Sequence, residues 1–136
     1  MSFETPAIAP TLRGDFVTLS QLNEHVLEDY LDMLVDPEAA RWTGPAPKFT
    51  RDSILEWLST RRTKADRVDW AIFDNESGEF AGEIVLNEYD ESKHAMNVRI
   101  ALRSAYLNRG LGTEAMRLAS EFALEELKLE NLQRIQ

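Results

Sequence analysis

Apolar positions along the chain switch between two spacings, and the switches mark its elements. Phe16, Val17 and Leu19 follow the turn pair Gly14–Asp15 and predict a strand over Phe16–Leu19, with Leu12 as an earlier start. From Leu22 the period lengthens. Val26, Leu27, Tyr30, Leu31 and Leu34 share one face of a helix over Leu22–Val35. Asn23 is placed as its N-cap, and Leu22 and Leu27 as a hydrophobic staple. Pro37 cannot continue that helix. Asp36–Trp42 has room for one short turn, and Thr43–Lys48, with Gly44, Pro45 and Pro47, reads as a loop. Thr50 begins a second helix, with Phe49 and Ile54 as staple, Asp52 in the first turn, and Ile54, Leu55, Trp57 and Leu58 as the buried side. Arg61, Arg62 and Lys64 suit its negative end; a solvated helix terminus explains them better than a phosphate patch does.

Period two then returns. Val68–Phe73 is a strand with Trp70 and Ile72 on one face, Asn75–Gly78 a hairpin turn, and Phe80–Glu88 the returning strand. Tyr89–Lys93 is a polar turn before a third strand, Ala95–Leu102. Leu111, Ala115, Leu118 and Phe122 then recur at helical spacing across Gly110–Glu126, and Leu132–Ile135 starts another apolar run. A meander followed by a crossover helix implies an α+β fold: a mixed, mostly antiparallel sheet with one parallel pair and helices on both faces. Met1–Pro10, with two prolines and little pattern, reads as a loose arm.

Length and charge narrow the picture. The 136 residues make one domain with one core. Acidic residues outnumber basic ones, 24 to 15, which disfavours nucleic acid and is compatible with a cationic amine as partner. There is no cysteine, hence no thiolate chemistry, and neither His25 nor His94 has a metal-ligand partner at zinc-helix spacing, so no metal is expected. No apolar run reaches membrane length and no leader pattern opens the chain, so a cytoplasmic location away from membranes is expected.

The stretch Arg103–Ala115 holds the clearest chemistry. It reads as strand, Gly-containing turn, helix. Gly110 and Gly112 let a ligand approach the backbone, and the N–H groups of the first helical turn, with no intrahelical partner, suit a phosphate. Arg109 adds a charged donor. The stretch resembles the acetyl-CoA-binding motif of the GNAT N-acetyltransferase superfamily, Gln/Arg-x-x-Gly-x-Gly/Ala, with Gly110 and Gly112 at its two small positions. Thr113–Glu114–Ala115 is similar to the continuation in the ribosomal-protein and antibiotic N-acetyltransferase branches. The Gln/Arg position falls on Leu107, a departure from the motif.

The resemblance implies an acetyl-CoA-dependent N-acetyltransferase acting on a primary amine of a small molecule or a protein N-terminus. Leu107, Asn108, Arg109, Gly110, Leu111, Gly112 and Thr113 would hold the pyrophosphate, and backbone groups of Ile100, Ala101 and Leu102 would meet the pantetheine and thioester. The amine must lose a proton before attack. Glu83 is the candidate base, either inward and desolvated with a raised pKa, or solvent-facing as simple alternation allows. Many family members carry Glu where this chain has Asn97, whose amide can position water or substrate but cannot be a base. The resemblance also implies further strands, which often supply a tyrosine acid, after the point reached by Gln136. Leu127, Leu129, Leu132 and Ile135 would then form an uncovered apolar edge, favouring a homodimer or a piece of a longer protein. The rival reading is a non-catalytic CoA-binding or protein-interaction module.

Overall fold

In the computed structural model the described residues are 3, 5–36 and 49–134. The positions read above as the Pro37 break, the loop at 43–48 and Ile135 lie outside them. Six strands form one sheet in sequence order: β1 (Leu12–Arg13), β2 (Val17–Gln21), β3 (Val68–Asp74), β4 (Phe80–Asp90), β5 (Ala95–Leu102) and β6 (Asn131–Arg134). Every neighbouring pair is antiparallel except β5 and β6, which the crossover helix α3 (Leu111–Glu125) makes parallel.

Alternation along the strands sorts two cores. Leu19, Trp70, Ile72, Ile84, Leu86, Met96 and Val98 are buried on the face covered by α3, where Trp70 meets Phe122 edge to face at 5.4 Å. Ala71, Phe80 and Ala101 are buried on the opposite face, beneath α1 (Leu27–Val35) and α2 (Arg51–Thr60). Burying each large aliphatic side chain contributes about 1.5–3 kcal/mol, so the two-sided burial of β3 to β5 makes the central sheet the rigid frame. Gly82 faces Leu102 across β4 and β5; a Cβ there would overlap the Ala101 carbonyl oxygen, so glycine permits this close approach.

Several element ends differ from expectation. Phe16 is 58% exposed in the bend ahead of β2, which starts at Val17. The first helix opens as a 3-10 turn at Glu24–Val26, capped by the Asn23 side chain accepting from His25 N, and only then becomes α1. Thr50 is the N-cap of α2, not its first residue: it and Ser53 exchange side-chain and backbone hydrogen bonds in a capping box. Leu55 is exposed, because α2 buries Leu58 and half-buries Ile54 and Trp57 on a narrower stripe. β4 runs on to Asp90 through a register slip, with Glu88 at φ 53°. A 3-10 turn, Ser104–Tyr106, joins β5 to the loop before α3.

The N-terminal arm is not loose over its described part: Pro10 carbonyl accepts from Trp70 Nε1 at 2.8 Å, Thr5 Oγ1 donates to Ala65 O, and Ala9 is buried. Nor are the leucines near β6 an uncovered face. Leu129 is buried in the α3-side core, and Leu127 and Leu132 pack against it. Among the described residues, no helix is long and apolar enough to cross a membrane.

Candidate active site

Glu83 occupies the middle of β4, flanked in register by Ala71 of β3 and Ala101 of β5. Small neighbours on both sides leave space above it, and α1 and α2 roof that space. The result is a cavity of about 210 Å³ lined by Tyr30, Trp57, Glu83, Asn87, Arg99 and Ala101, among others. Glu83 is buried, and the Tyr30 hydroxyl donates to its carboxylate, 3.0 Å from either oxygen. Burial is the largest influence on Glu83 and pushes its pKa up; the Tyr30 hydrogen bond pulls it down, Asp69 raises it, and Arg67 and Arg61 lower it. The outcome is about 7, against 4.5 for a free glutamate. Burial, reinforced by Glu83, raises the Tyr30 phenol well above its ordinary value, so it stays a donor.

Of the two readings open for Glu83, the structure selects the inward one. Alternation was respected, but the face it was assigned to solvent is the one covered by α1 and α2. Tyr30, which orients Glu83, escaped sequence reasoning: it read as one more apolar position of a helix. Its hydroxyl on an otherwise apolar stripe was the available signal.

Asn97 shares this face of the sheet but sits four residues from Ala101 on β5, ~13 Å away at strand spacing. Its amide donates to Glu88 at the sheet margin, and it does not line the cavity. Glu83 and Asn97 are therefore not brought together.

The loop residues fall on the other side of β5. Ile100 and Leu102 have side chains beneath Gly112 at the start of α3, so the last residues of β5 and the first turn of the helix are adjacent. Gly110 adopts φ +79° as N-cap of α3, a conformation natural to glycine, and Asn108 is also left-handed at φ 60°. The first helical hydrogen bond runs from Glu114 N to Gly110 O, so the N–H groups of Leu111, Gly112 and Thr113 have no helix carbonyl to use. Asn108, Arg109 and Gly110 are exposed and Leu107 half-buried. The Arg109 guanidinium meets Asp74 and Glu76 at 3.5 Å and lies 5.4 Å from the Tyr106 ring.

Glu114 anchors this turn. Its Oε1 accepts from Phe16 N at 2.7 Å and Val17 N at 2.8 Å, tying α3 to the start of β2. Burial acts to raise its pKa, but the backbone N–H groups of Val17, Phe16 and Asp15 and the charge of Arg117 hold it below the ordinary value. The β5–β6 pairing covers Ala95–Val98, and among the described residues the edge of Ile100–Leu102 away from β4 has no ladder partner. A free strand edge, a helix start with unused N–H groups and a buried acid thus border one another through a few residues of β5.

The sequence matches the family described as the acetyltransferase (GNAT) domain over residues 17–135, and the chain belongs to that family. It is similar in fold to a GCN5-related N-acetyltransferase from Brucella melitensis: TM-score 0.75, 20% identity, 97% of this chain and 62% of that one. A protein of Vibrio cholerae assigned as a ribosomal-protein-serine acetyltransferase gives TM-score 0.74 and 16% identity, over 92% of this chain and 72% of that one. A mutant of the spermidine N-acetyltransferase of the same organism gives TM-score 0.69 and 12% identity, over 88% of this chain and 69% of that one. This chain spans less than two thirds of the Brucella protein's length. No curated protein matches the sequence.

Proposed function

We propose that this chain transfers an acetyl group from acetyl-CoA to a primary amine by direct attack. The single observation behind this reading is the placement of a buried carboxylate, poised near neutrality, within the cavity that Ala101 also lines and one strand from the edge of Ile100–Leu102, which has no ladder partner among the described residues. The residues present fit the co-substrate. The unused N–H groups of Leu111, Gly112 and Thr113, at the positive end of α3, suit a pyrophosphate, and the edge of Ile100–Leu102 offers backbone groups to pantetheine and to the thioester oxygen. In the reaction the amine nitrogen bonds to the carbonyl carbon, the carbon–sulfur bond breaks, and the sulfur leaves as a thiolate that takes up a proton.

Glu83 receives the proton the ammonium loses, directly or through one water. Tyr30 keeps that carboxylate turned toward the cavity, and Trp57, 5.7 Å from the Tyr30 ring, helps close the cavity from above. Near pH 7 about half of the Glu83 population is ionised, the condition under which a base both accepts a proton at neutrality and releases it again.

A second reading, a binder without turnover, is favoured by the distance of Asn97 from the cavity and is separated by one assay. Thiol release on mixing with acetyl-CoA and an amine panel marks the transferase; a thermal shift with CoA and no release marks the binder. Saturating acetyl-CoA at a hundredfold excess over Kd should stabilise the fold by about 2.7 kcal/mol. Gly110→Val, which forces a β-branched residue into a positive φ, should abolish that shift while the protein still folds. An unchanged shift refutes the loop assignment.

A further inference from the structure

The two arginines whose charges act on Glu83 are both engaged elsewhere. Polar groups face this carboxylate from every surrounding element. Tyr30 comes from α1, Arg61 from the 3-10 turn Arg61–Thr63 after α2, and Arg67 and Asp69 from either side of Val68, where β3 begins. Arg99 of β5 lines the cavity wall, with Glu88 of β4 at 3.7 Å. Asp69 lies opposite Val85, one strand repeat, ~7 Å, from the Ala71–Glu83 pair and on the same face. Its side chain is wholly buried, and Arg67 grips both of its oxygens with hydrogen bonds of 2.8 Å. Arg67 nevertheless lines the same cavity as Glu83. Arg61 is turned to α2: its Nε donates to the Trp57 carbonyl at 2.9 Å, and its guanidinium lies 4.3 Å over the Trp57 ring. The Tyr30 hydroxyl is left as the donor that Glu83 accepts from.

Resting on the transferase reading above, we infer that Asp69 and Arg67 are positioning residues for Glu83: Asp69 claims the Arg67 guanidinium, so the Glu83 carboxylate is left to Tyr30 and the incoming amine. Two buried carboxylates compete for one arginine fork. A carboxylate cut off from water is costly to leave unpaired, and Asp69 matches the fork with both oxygens, so Asp69 keeps it. A guanidinium gripping Glu83 would favour its ionised form and weaken it as an acceptor of the amine proton. With Asp69 against Arg67, the two charges act on Glu83 in opposite senses and leave burial as the largest influence.

The test follows the carboxyl carbon of Glu83 by nuclear magnetic resonance in glutamate-labelled protein, assigned by its loss in Glu83→Gln, alongside the pH profile of kcat/KM. Asp69→Asn removes an anion and leaves the Arg67 charge unmatched, so the Glu83 midpoint should fall by about one pH unit. Arg67→Gln removes the cation and keeps an amide that can donate to Asp69, so the midpoint should rise by about as much. The double variant removes both charges and should return to within about half a unit of wild type. The acidic limb of kcat/KM should move with the midpoint in each protein. A pair that only supported the fold would not give shifts of opposite sign that cancel. Unmoved midpoints, shifts in the same direction, or shifts that add in the double variant overturn the inference. If Asp69→Asn does not fold, Arg67→Gln decides alone, and an unmoved or lowered midpoint overturns it. Opposed midpoints without thiol release leave the inference standing and remove the transferase reading; thiol release with unmoved midpoints does the reverse.

Discussion

Replacing Glu83 by Gln should weaken catalysis and strengthen the fold, with a sign that depends on pH. Glu83 titrates near 7 when folded, against 4.5 when free. The folded state therefore binds more protons than the unfolded one between these values. A raised acid pKa contributes stability that is fully present below about pH 4.5 and is lost as pH rises through 7. The loss is about 2.5 pKa units at 1.36 kcal/mol each, or roughly 3 kcal/mol, most of it between pH 5 and pH 8. Gln fills the same volume, accepts from the Tyr30 hydroxyl and does not titrate. Urea unfolding of both proteins at pH 5 and pH 8 gives the comparison free of any constant offset. Glu83→Gln should gain about 2–3 kcal/mol relative to wild type on going from pH 5 to pH 8, while turnover at neutral pH falls by roughly 10²-fold or more. A stability difference that is the same at both pH values refutes the burial argument. An unchanged turnover refutes the role as base, whatever the stability shows.

Tyr30→Phe removes a donor to the ionised carboxylate, so the acidic limb of the kcat/KM profile should move up by about one pH unit; an unmoved or lowered limb shows that Tyr30 does not set the Glu83 proton affinity. Gly82→Ala places a methyl against the Ala101 carbonyl oxygen, and should cost several kcal/mol, about 1–3 for overpacking plus the distorted ladder, read by denaturant midpoint. Glu114→Gln turns one of its two acceptors into a donor and removes the charge facing Phe16 and Val17 N–H; it should cost about 1–3 kcal/mol and raise KM for acetyl-CoA more than KM for the amine. Equal rises in both constants would show that the helix start is not what Glu114 holds in place.

Local chemistry was legible in the chain itself. The switch from period two to period 3.6 located α3 to within a residue at each end, because amphipathicity is a property of neighbours in sequence. The turn at Asn75–Gly78, the cap at Asn23 and the left-handed Gly110 are likewise decided by residues a few positions apart. The parallel pairing of β5 and β6 followed from a helix standing between two strands.

What remained open depends on which elements stack upon one another. Alternation on β4 puts Glu83 and Ile84 on opposite faces whichever of them meets water; only the docking of α1, 53 residues away at Tyr30, buries the carboxylate and shifts its proton affinity. Leu55 looked as buried as Leu58, but a helix resting on a sheet covers a stripe narrower than its apolar positions suggest. The ion pairs of Arg109 were equally hidden in the chain, because only the β3–β4 hairpin brings Asp74 and Glu76 to it. Desolvation and ion pairing act through space, so these three outcomes belong to the tertiary structure, while the periodicities and turns that built its elements were already set along the chain.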